Sequence, residues 1–358
     1  MNRWGSLWGA GVLLSWCSGA LAVLAQDPRA TFAVGTASAL RGQRSYGVLK
    51  VPAGSDPATE IGVVVLNGAR PGPALAIVSG LHGTEYASIV AVERLIDSVD
   101  PAQLAGTLIL VPLVNVASFE RMVPHVNPVD NKNMNRFFPG NADGTQTERA
   151  AYVITREVVD KCDHLIDLHG GDLDESLRTY SYWTVTGNPK QDQASKAMVL
   201  AFGLDHIIIA ADRPKDPAQS RYLENTASTR GKPSFAAEAG HAGTVETDDV
   251  AALVNGSLNV MRHLNMLAGE ARPVEHPVWV EKIVTISGEQ NGIFYPSVRR
   301  GTYVAKGTKV GHVTDYVGRI LGDVRAPEAG IIMYVRAVPS LKKGDTIADV
   351  GVITRSAP

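Results

Sequence analysis

Three side chains that can bind a metal follow two apolar segments of this sequence. His82 and Glu85 come shortly after the apolar run Ala76–Val78, and His169 directly follows the run Leu165–Leu168. Imidazole nitrogen and carboxylate oxygen both suit zinc, and a catalytic zinc usually has three protein ligands with the fourth position left to water. We therefore predict that His82, Glu85 and His169 bind one Zn²⁺ per chain.

The elements around these residues should bring them together. Each apolar run is typical of a β-strand and is followed by glycine, and Glu85 leads into a helical pattern at 87–96. In open α/β sheets, sites form where strands reach their carboxyl ends, so the two strand ends can share one metal. A His-x-x-Glu pair alone is weak evidence for a metal site. The pair also arises by chance, and an isolated histidine is more often hydrogen-bonded than metal-bound. The second strand that ends in histidine favours the metal.

Asp167 lies two residues before His169 and therefore on the same face of the predicted strand. A carboxylate in that position can accept a hydrogen bond from the imidazole and orient it toward a metal. A structural salt bridge explains Asp167 equally well, and both interpretations stay open at this point.

Strand and helix patterns alternate along most of the chain, which predicts an α/β fold with a largely parallel or mixed sheet and helices on both faces. The predicted strands are Val63–Leu66, Ala76–Val78, Leu108–Val114, His164–Leu168 and His206–Ala210. The predicted helices are Ala87–Ile96, Glu148–Val159, Ala194–Phe202 and Val250–Leu267.

The pattern changes near residue 270, where prolines interrupt the helical pattern and short strands alternate with glycine turns. We expect an α/β domain at 26–270, which contains the candidate zinc ligands, and a small all-β barrel or sandwich at 271–358. The segment Val304–Gly311 resembles biotinyl/lipoyl-like domains, but no lysine lies in the Met-Lys context of a modified carrier. A structural or substrate-gating role is therefore expected for this domain.

The N-terminus has the pattern of a signal peptide. Arg3 precedes an apolar stretch from Leu7 to Leu24, and Val23-Leu24-Ala25 forms a small-residue cleavage site. We predict cleavage after residue 25, export to the periplasm or the medium, and no stable membrane association afterwards. An uncleaved membrane anchor is the alternative interpretation.

The charge composition of the chain limits the classes of molecule that it is expected to bind. Acidic and basic residues are mixed throughout, and the formal net charge is −2. This balance lacks the basic footprint of a nucleic-acid-binding protein. We expect a small molecule or a short peptide that carries a carboxylate, and a homo-oligomer remains open.

Four motifs occur in an order that resembles the succinylglutamate desuccinylase/aspartoacylase family, a group related to the zinc carboxypeptidases. The motifs are His82–Glu85, Asn133–Gly140, Asp167–Gly170 and Ala237–Gly240. The resemblance covers about residues 60 to 355. It implies a zinc-carboxypeptidase-like mixed sheet flanked by helices, with the same three zinc ligands. It also implies that Glu238 is the general base and that Asn135 and Arg136 face the substrate.

General chemistry is consistent with these implied roles. Zinc lowers the pKa of water from 15.7 to about 7, so a nearby carboxylate such as Glu238 can accept a proton at neutral pH. Arg136 can bind a substrate carboxylate with two hydrogen bonds, and Asn135 can donate one more. The alternatives are a surface carboxylate for Glu238 and a loop-closing salt bridge for Arg136.

One position departs from the family pattern. Related sequences often carry a second arginine shortly before a Pro-x-Asp segment, whereas His125 stands near Pro128-Val129-Asp130 here. Arg121 is the nearest arginine in the sequence. We therefore take Arg121 as a further candidate substrate-binding residue, with His125 as the alternative.

Together these patterns predict a zinc metallohydrolase that cleaves the amide bond of an N-acyl amino acid or a similar small carboxylate. An exported carboxypeptidase that acts on peptides or cell-wall peptides would use the same residues. A catalytically silent binding protein is a third hypothesis, but such a protein would be expected to lack one of the metal ligands or the base.

Overall fold

The structure is a computed structural model that describes residue 1 and residues 30–357. Apart from Met1, the predicted signal peptide lies outside the described residues, so its cleavage and the export of the chain stay predictions. Within the described part, no helix is both long and apolar enough to cross a membrane.

Five strands open the described chain, and six strands and six helices then follow one another as far as residue 263, so the predicted mixture of strands and helices is found. The strands are β1 (Thr31–Val34), β2 (Ala37–Leu40), β3 (Gln43–Val51), β4 (Thr59–Asn67), β5 (Arg70–Ser79), β6 (Ala105–Val111), β7 (His164–His169), β8 (Glu175–Leu177), β9 (Tyr180–Thr184), β10 (His206–Ala210) and β11 (Ser234–Glu238). The helices are α1 (Tyr86–Ser98), α2 (Val116–Arg121), α3 (Gln146–Ile154), α4 (Pro189–Phe202), α5 (Leu223–Ser228) and α6 (Thr247–His263). Short 3-10 turns lie at Met134–Arg136 and Pro217–Gln219, and a π-helical segment at Thr155–Val159 follows α3.

Local sequence explains where several helices begin. Thr145 and Glu148 form a capping box at the start of α3, and the Asn188 side chain accepts backbone hydrogen bonds at the start of α4. Pro189 occupies the first position of α4, where its missing N–H costs nothing. Gly203 ends α4 in the left-handed conformation at φ 97°.

The remaining strands all follow residue 277. They are β12 (Val278–Ser287), β13 (Gly292–Pro296), β14 (Tyr303–Val304), β15 (Lys309–Thr314), β16 (Ile320–Arg325), β17 (Gly330–Arg336), β18 (Ser340–Leu341) and β19 (Thr346–Thr354).

A thirteen-stranded sheet organises the fold, in the order β14-β17-β19-β12-β10-β9-β11-β7-β5-β6-β4-β3, with β8 paired to β17. Its centre contains the parallel pairs β5–β7 and β7–β11, and antiparallel pairs lie on both sides. The predicted mixed α/β sheet is therefore confirmed. One apolar core contains buried residues of α1, α4 and α6, and a second contains buried residues of α3 and α5.

The C-terminal strands are divided between two sheets. Strands β12, β14, β17 and β19 extend the large sheet, because β12 pairs in parallel with β10. Strands β13, β15, β16 and β18 form a separate four-stranded sheet, and residues of both sheets share a small apolar core. No closed barrel is found among residues 30–357, so the barrel alternative is not confirmed. The domain boundary at residue 270 stays a prediction, and the large sheet continues across it.

Candidate active site

Three adjacent strands bring the predicted site residues to one edge of the sheet. The order β11-β7-β5 is parallel throughout, so the carboxyl ends of these strands lie side by side. His82 and Glu85 follow β5, His169 ends β7, and Glu238 ends β11. Side chains from three separate sequence motifs therefore meet where sites form in α/β sheets.

The turn after β5 depends on a glycine. Gly80 has φ +68°, and a Cβ atom there would lie 2.9 Å from the Cα atom of Leu113. Other residues adopt this backbone region at a cost, and the close approach excludes even a methyl group. The turn carries the chain from the strand to Glu85, which is the N-cap residue of α1.

The three predicted ligands converge on one point. Nδ1 of His82 lies 2.6 Å from Oε1 of Glu85, and Nδ1 of His169 lies 2.9 Å from Oε2 of the same carboxylate. One ligand atom from each residue can be chosen so that all three lie within 4.8 Å of one another. Two imidazoles and one carboxylate are a donor set that zinc accepts, so the residues present fit this metal.

Hydrogen bonding fixes which nitrogen of His82 faces the cluster. Nε2 of His82 lies 3.1 Å from Oδ1 of Asn133, and that oxygen also accepts a hydrogen bond from the backbone N–H of Asn135. The amide orientation of Asn133 is thereby set, and Nε2 must be the donor. The lone pair of Nδ1 then points at the carboxylate of Glu85. That arrangement is repulsive unless a proton or a metal ion lies between the two groups.

Asp167 lies behind His169. Its carboxylate is fully buried, and Oδ1 lies 3.2 Å from Nε2 of His169. The amide nitrogen of Asn135 faces the same Nε2 at 3.1 Å, so the contact does not select one tautomer of the ring. The negative charge of Asp167 stabilises positive charge on His169. An orienting carboxylate and a structural ion pair, the two interpretations from the sequence, are both compatible with this contact.

Charges in the site favour a cation. Burial lowers the pKa of His82 and of His169, but nearby carboxylates outweigh it and raise both pKa values above the usual range. Burial raises the pKa of Glu85, but His169 and His82 outweigh it and hold that pKa well below its usual range. A carboxylate that stays ionised between two imidazoles stabilises positive charge in the site. That charge can be carried by protons on the imidazoles or by a metal ion.

A cavity of about 300 Å³ opens beside the cluster, and its lining includes most of the predicted site residues. The predicted residues that line it are His82, Glu85, Asn135, Arg136, His169 and Glu238. The additional polar residues are His125, Asn133, Glu175, Tyr180, Tyr182, Arg213, Tyr222, Glu224, Tyr334 and Asp349.

Glu238 lies next to His169, because the two residues are directly paired in register between β11 and β7. Burial is the main cause that raises the pKa of Glu238 well above its usual range, and the charge of His169 opposes it. A metal dication beside the same strand end would lower this pKa, since a nearby positive charge favours the carboxylate. The carboxylate lines the cavity, which does not match the surface location considered as the alternative.

Arg136 has no carboxylate partner within the described part of the chain. Its Nη1 donates to the backbone oxygen of Asn135 at 2.7 Å, and the guanidinium lies 4.9 Å from the ring centre of Tyr222. The loop-closing salt bridge considered for Arg136 is therefore not found among residues 30–357.

Both polar atoms of the Asn135 side-chain amide already have partners within the protein. Its Oδ1 accepts a hydrogen bond from the backbone N–H of Leu223, and its Nδ2 lies 3.1 Å from Nε2 of His169.

Arg121 does not lie among the residues that line the cavity. It is the exposed last residue of the short helix α2. His125 does line the cavity, but both of its ring nitrogens face acids, with Nε2 2.8 Å from Asp174 and Nδ1 3.3 Å from Asp172. Arg213 is the second arginine of the cavity, and sequence reasoning missed it.

Several charged groups in the lining lie outside the four motifs, and Glu175 and Arg213 are two of them. Glu175 begins β8, and burial, opposed by His125, raises its pKa to about 7. Arg213 follows β10 and lies 3.1 Å from the buried carboxylate of Glu224. The signal for Arg213 was available, because a charged residue followed a predicted strand at the edge where sites form.

We expect His125 to carry a positive charge at neutral pH. Burial lowers its pKa, but the hydrogen bond with Asp174 and the charge of Asp172 outweigh it and raise the value from 6.5 to about 9. A folded-state pKa above the unfolded value means that this charge stabilises the fold fully below about pH 6.5. The contribution is lost as the pH rises through about 9.

NMR titration of the His125 ring checks this expectation. Asp174→Asn should lower its pKa toward 6.5, because it removes the largest contribution that raises the value. Titration near 6.5 in both proteins would contradict the ion pairs.

Comparison with known proteins supports the family that the four motifs resemble. A model of the succinylglutamate desuccinylase/aspartoacylase catalytic domain matches residues 71–264. The chain is 28% identical over 322 residues to the N-alpha-acetyl-L-2,4-diaminobutyric acid deacetylase of Halomonas elongata, with 87% of this chain and 92% of that protein covered.

Solved structures agree as well. The product-bound ectoine utilization protein EutE (DoeB) from Ruegeria pomeroyi has a TM-score of 0.78 and 26% identity, covering 86% of this chain and 95% of that chain. A succinylglutamate desuccinylase from a Silicibacter species has a TM-score of 0.77, which supports the fold, at 24% identity and with 87% of this chain and 95% of that chain covered. The family model alone spans more than half of the sequence. The chain therefore belongs to the succinylglutamate desuccinylase/aspartoacylase family, whose members named here point to a hydrolase that cleaves amide bonds.

Proposed function

We propose that this protein is a zinc-dependent deacylase that hydrolyses the amide bond of an N-acyl amino acid. The observation that carries the proposal is the convergence of two imidazole Nδ1 atoms on one ionised carboxylate, within a cavity that also contains Glu238 and Arg136. The relative from Halomonas elongata is named as a deacetylase of an N-acetylated amino acid, which supports this substrate class.

His82, Glu85 and His169 would hold the metal, and Asn133 and Asp167 would orient the two imidazoles. A zinc ion bound there would act as a Lewis acid that polarises the amide carbonyl and acidifies water. Glu238, which lines the same cavity, would accept a proton from the attacking water and return it to the leaving amine.

Arg136 is the cavity cation best placed to bind the substrate carboxylate. Its guanidinium has no acidic partner in the described chain, whereas Arg213 lies beside Glu224. Tyr222 lies beside both arginines, with its ring centre 4.9 Å from Arg136 and 4.0 Å from Arg213. Stacking on Tyr222 restricts the guanidinium, so less conformational entropy is lost when a carboxylate binds.

Arg136→Lys tests this role. Lysine keeps the charge but removes the planar fork, so we expect a loss of about 1.5–3 kcal/mol of binding, or roughly 10- to 150-fold in kcat/KM, for an N-acyl amino acid. The measurement compares the acid with its C-terminal amide. The amide should be a poor substrate of the native enzyme and should lose much less in the variant.

Arg121→Lys is the matched control, because Arg121 is exposed and does not line the cavity. It should leave both substrates unchanged. Equal losses for acid and amide in Arg136→Lys, or no loss for either, would make Arg136 structural. A parallel panel of peptides distinguishes deacylation from the carboxypeptidase alternative, which predicts faster cleavage of peptides than of N-acyl amino acids.

A further inference from the structure

Amide hydrolysis places negative charge on the carbonyl oxygen of the substrate. As water adds to the carbonyl carbon, an electron pair moves onto that oxygen. Hydrogen-bond donors that are fixed in position before this charge develops are usually among the largest contributions to catalysis. A donor next to Glu238 would act on the same reacting group, because Glu238 is the proposed base.

The cationic side chains that line the catalytic cavity are already engaged. Nε of Arg213 lies 3.1 Å from Oε1 of Glu224, and both ring nitrogens of His125 face acids. Arg136 is the proposed partner of the substrate carboxylate. A neutral side chain is therefore the better source of a donor for the carbonyl oxygen.

Tyr180 lies beside the proposed base. It begins β9 and is directly paired in register with Glu238, the last residue of β11. Directly paired residues of antiparallel strands point to the same face of the sheet, with their Cβ atoms about 4.5–5.5 Å apart. Glu238 is paired with His169 on its other side, so the three residues lie next to one another on adjacent strands. Tyr180 also lines the catalytic cavity.

The hydroxyl pair formed by Tyr180 and Tyr182 has a proton to donate. Within the described chain, the two hydroxyl oxygens lie 3.5 Å apart and make no other hydrogen bond. O–H···O hydrogen bonds are usually about 2.5–3.0 Å long, so this contact is weak. The pair has two protons, and only one of them can lie between the two oxygens. At least one O–H group can therefore donate to a molecule in the cavity.

The other tyrosines of the cavity are less well placed for this role. Tyr182 lies two positions further from the catalytic edge on β9. The Tyr334 hydroxyl donates to the backbone oxygen of Thr346, and the Tyr222 ring lies against the two arginines. Tyr180 is the tyrosine that is paired directly with the base.

Tyr180 keeps its proton at neutral pH. Its side chain is buried, and burial is the main cause that raises its pKa well above the usual range. The nearby charges of Glu238 and Glu175 act in the same direction. These surroundings favour a neutral phenol, which can donate a hydrogen bond but cannot act as a base.

We propose that the Tyr180 hydroxyl donates a hydrogen bond to the carbonyl oxygen of the scissile amide, which makes Tyr180 a catalytic residue. This inference rests on the proposed deacylase function and adds a residue outside the four motifs. Glu238 takes the proton of the attacking water and delivers it to the amide nitrogen. The C–N bond then breaks, and the electron pair on the oxygen re-forms the C=O bond. Tyr180 stabilises the charge on the oxygen between these two events.

Tyr180→Phe tests the proposal, because it removes the donor and keeps the ring. The assay uses the N-acetyl amino acid that the native enzyme cleaves fastest. We expect kcat to fall roughly 10²–10³-fold, the usual cost of losing one such donor, with little change in KM. Zinc content should be unchanged, since Tyr180 does not belong to the ligand cluster.

Two further variants serve as controls. Tyr303→Phe makes the same change at an exposed tyrosine outside the cavity and should leave kcat unchanged. Tyr182→Phe should lose less than Tyr180→Phe, because Tyr182 lies further from the edge. Thermal unfolding of each variant checks that the fold is intact. Near-native kcat in Tyr180→Phe, a change in KM alone, or an equal loss in Tyr182→Phe would overturn the proposal.

Binding of a tetrahedral analogue separates this inference from the proposed function. N-methylphosphonylalanine carries a negatively charged oxygen on a tetrahedral phosphorus, where N-acetylalanine has its planar carbonyl. Calorimetry compares zinc-loaded native protein with Tyr180→Phe for this analogue and for alanine, the corresponding product. The variant should bind the analogue roughly 10- to 150-fold more weakly, the cost of one charge-assisted hydrogen bond, and alanine equally well.

That difference in affinity would support the Tyr180 donor even if the native protein hydrolysed no N-acyl amino acid. Equal affinities of the two proteins for the analogue, absence of binding included, would contradict it even if deacylation is observed.

Discussion

Replacing His82, Glu85 or His169 with alanine is expected to remove nearly all bound zinc. The three side chains supply the whole protein part of the predicted coordination shell, and their donor atoms meet at the single carboxylate of Glu85. Loss of a partner behind a ligand usually costs ~10–100-fold in metal affinity, and loss of a ligand itself should cost more. Elemental analysis and competition with a chelator measure the change.

His164→Ala is a suitable control for this series. His164 begins the strand that His169 ends, so the control changes the same residue type at the other end of the same strand. It should keep a full zinc ion. Stoichiometric zinc in all three ligand variants would contradict the metal assignment.

Glu238→Gln is expected to have a different effect, because it separates metal binding from proton transfer. Glutamine keeps the size and polarity of the side chain but cannot accept the proton, so zinc should stay bound while turnover falls by ~10²-fold or more. The register pair with His169 places this carboxylate beside the metal ligands without making it one of them. Steady-state kinetics on samples of known zinc content check the prediction. Turnover close to the native value would remove Glu238 from the mechanism.

The cluster of His82, Glu85 and His169 could be predicted from the sequence because its signal is local. Each follows an apolar strand and lies beside a glycine that permits a tight turn or a close backbone approach, as at Gly80 and Gly170. The carboxyl ends of parallel strands lie at the same edge of a sheet. A prediction of parallel strands is therefore enough to indicate that these ends can meet. The order β11-β7-β5 then places Glu238 beside His169, which the sequence could only imply through resemblance.

Other parts of the site depend on strand order and helix direction, which the sequence pattern does not contain. Arg121 is close to the Pro-x-Asp segment in sequence, but α2 leaves it exposed at its end. Arg213 and Asp349 reach the cavity from strands that are far apart in sequence and are brought close by the pairing of β12 with β10. The same pairing adds C-terminal strands to the large sheet. The short glycine-bounded segments in the sequence do not indicate which of these strands join the large sheet and which form the four-stranded sheet.

The most direct test of this account measures zinc content and hydrolysis of an N-acyl amino acid in the same preparations of three proteins. The native protein should contain one zinc ion per chain and release the free amino acid. Glu238→Gln should contain zinc but show at least ~10²-fold slower turnover, and His169→Ala should lack both zinc and activity. Hydrolysis by zinc-free native protein, or undiminished hydrolysis by His169→Ala, would contradict the central claim that these residues form a catalytic zinc site.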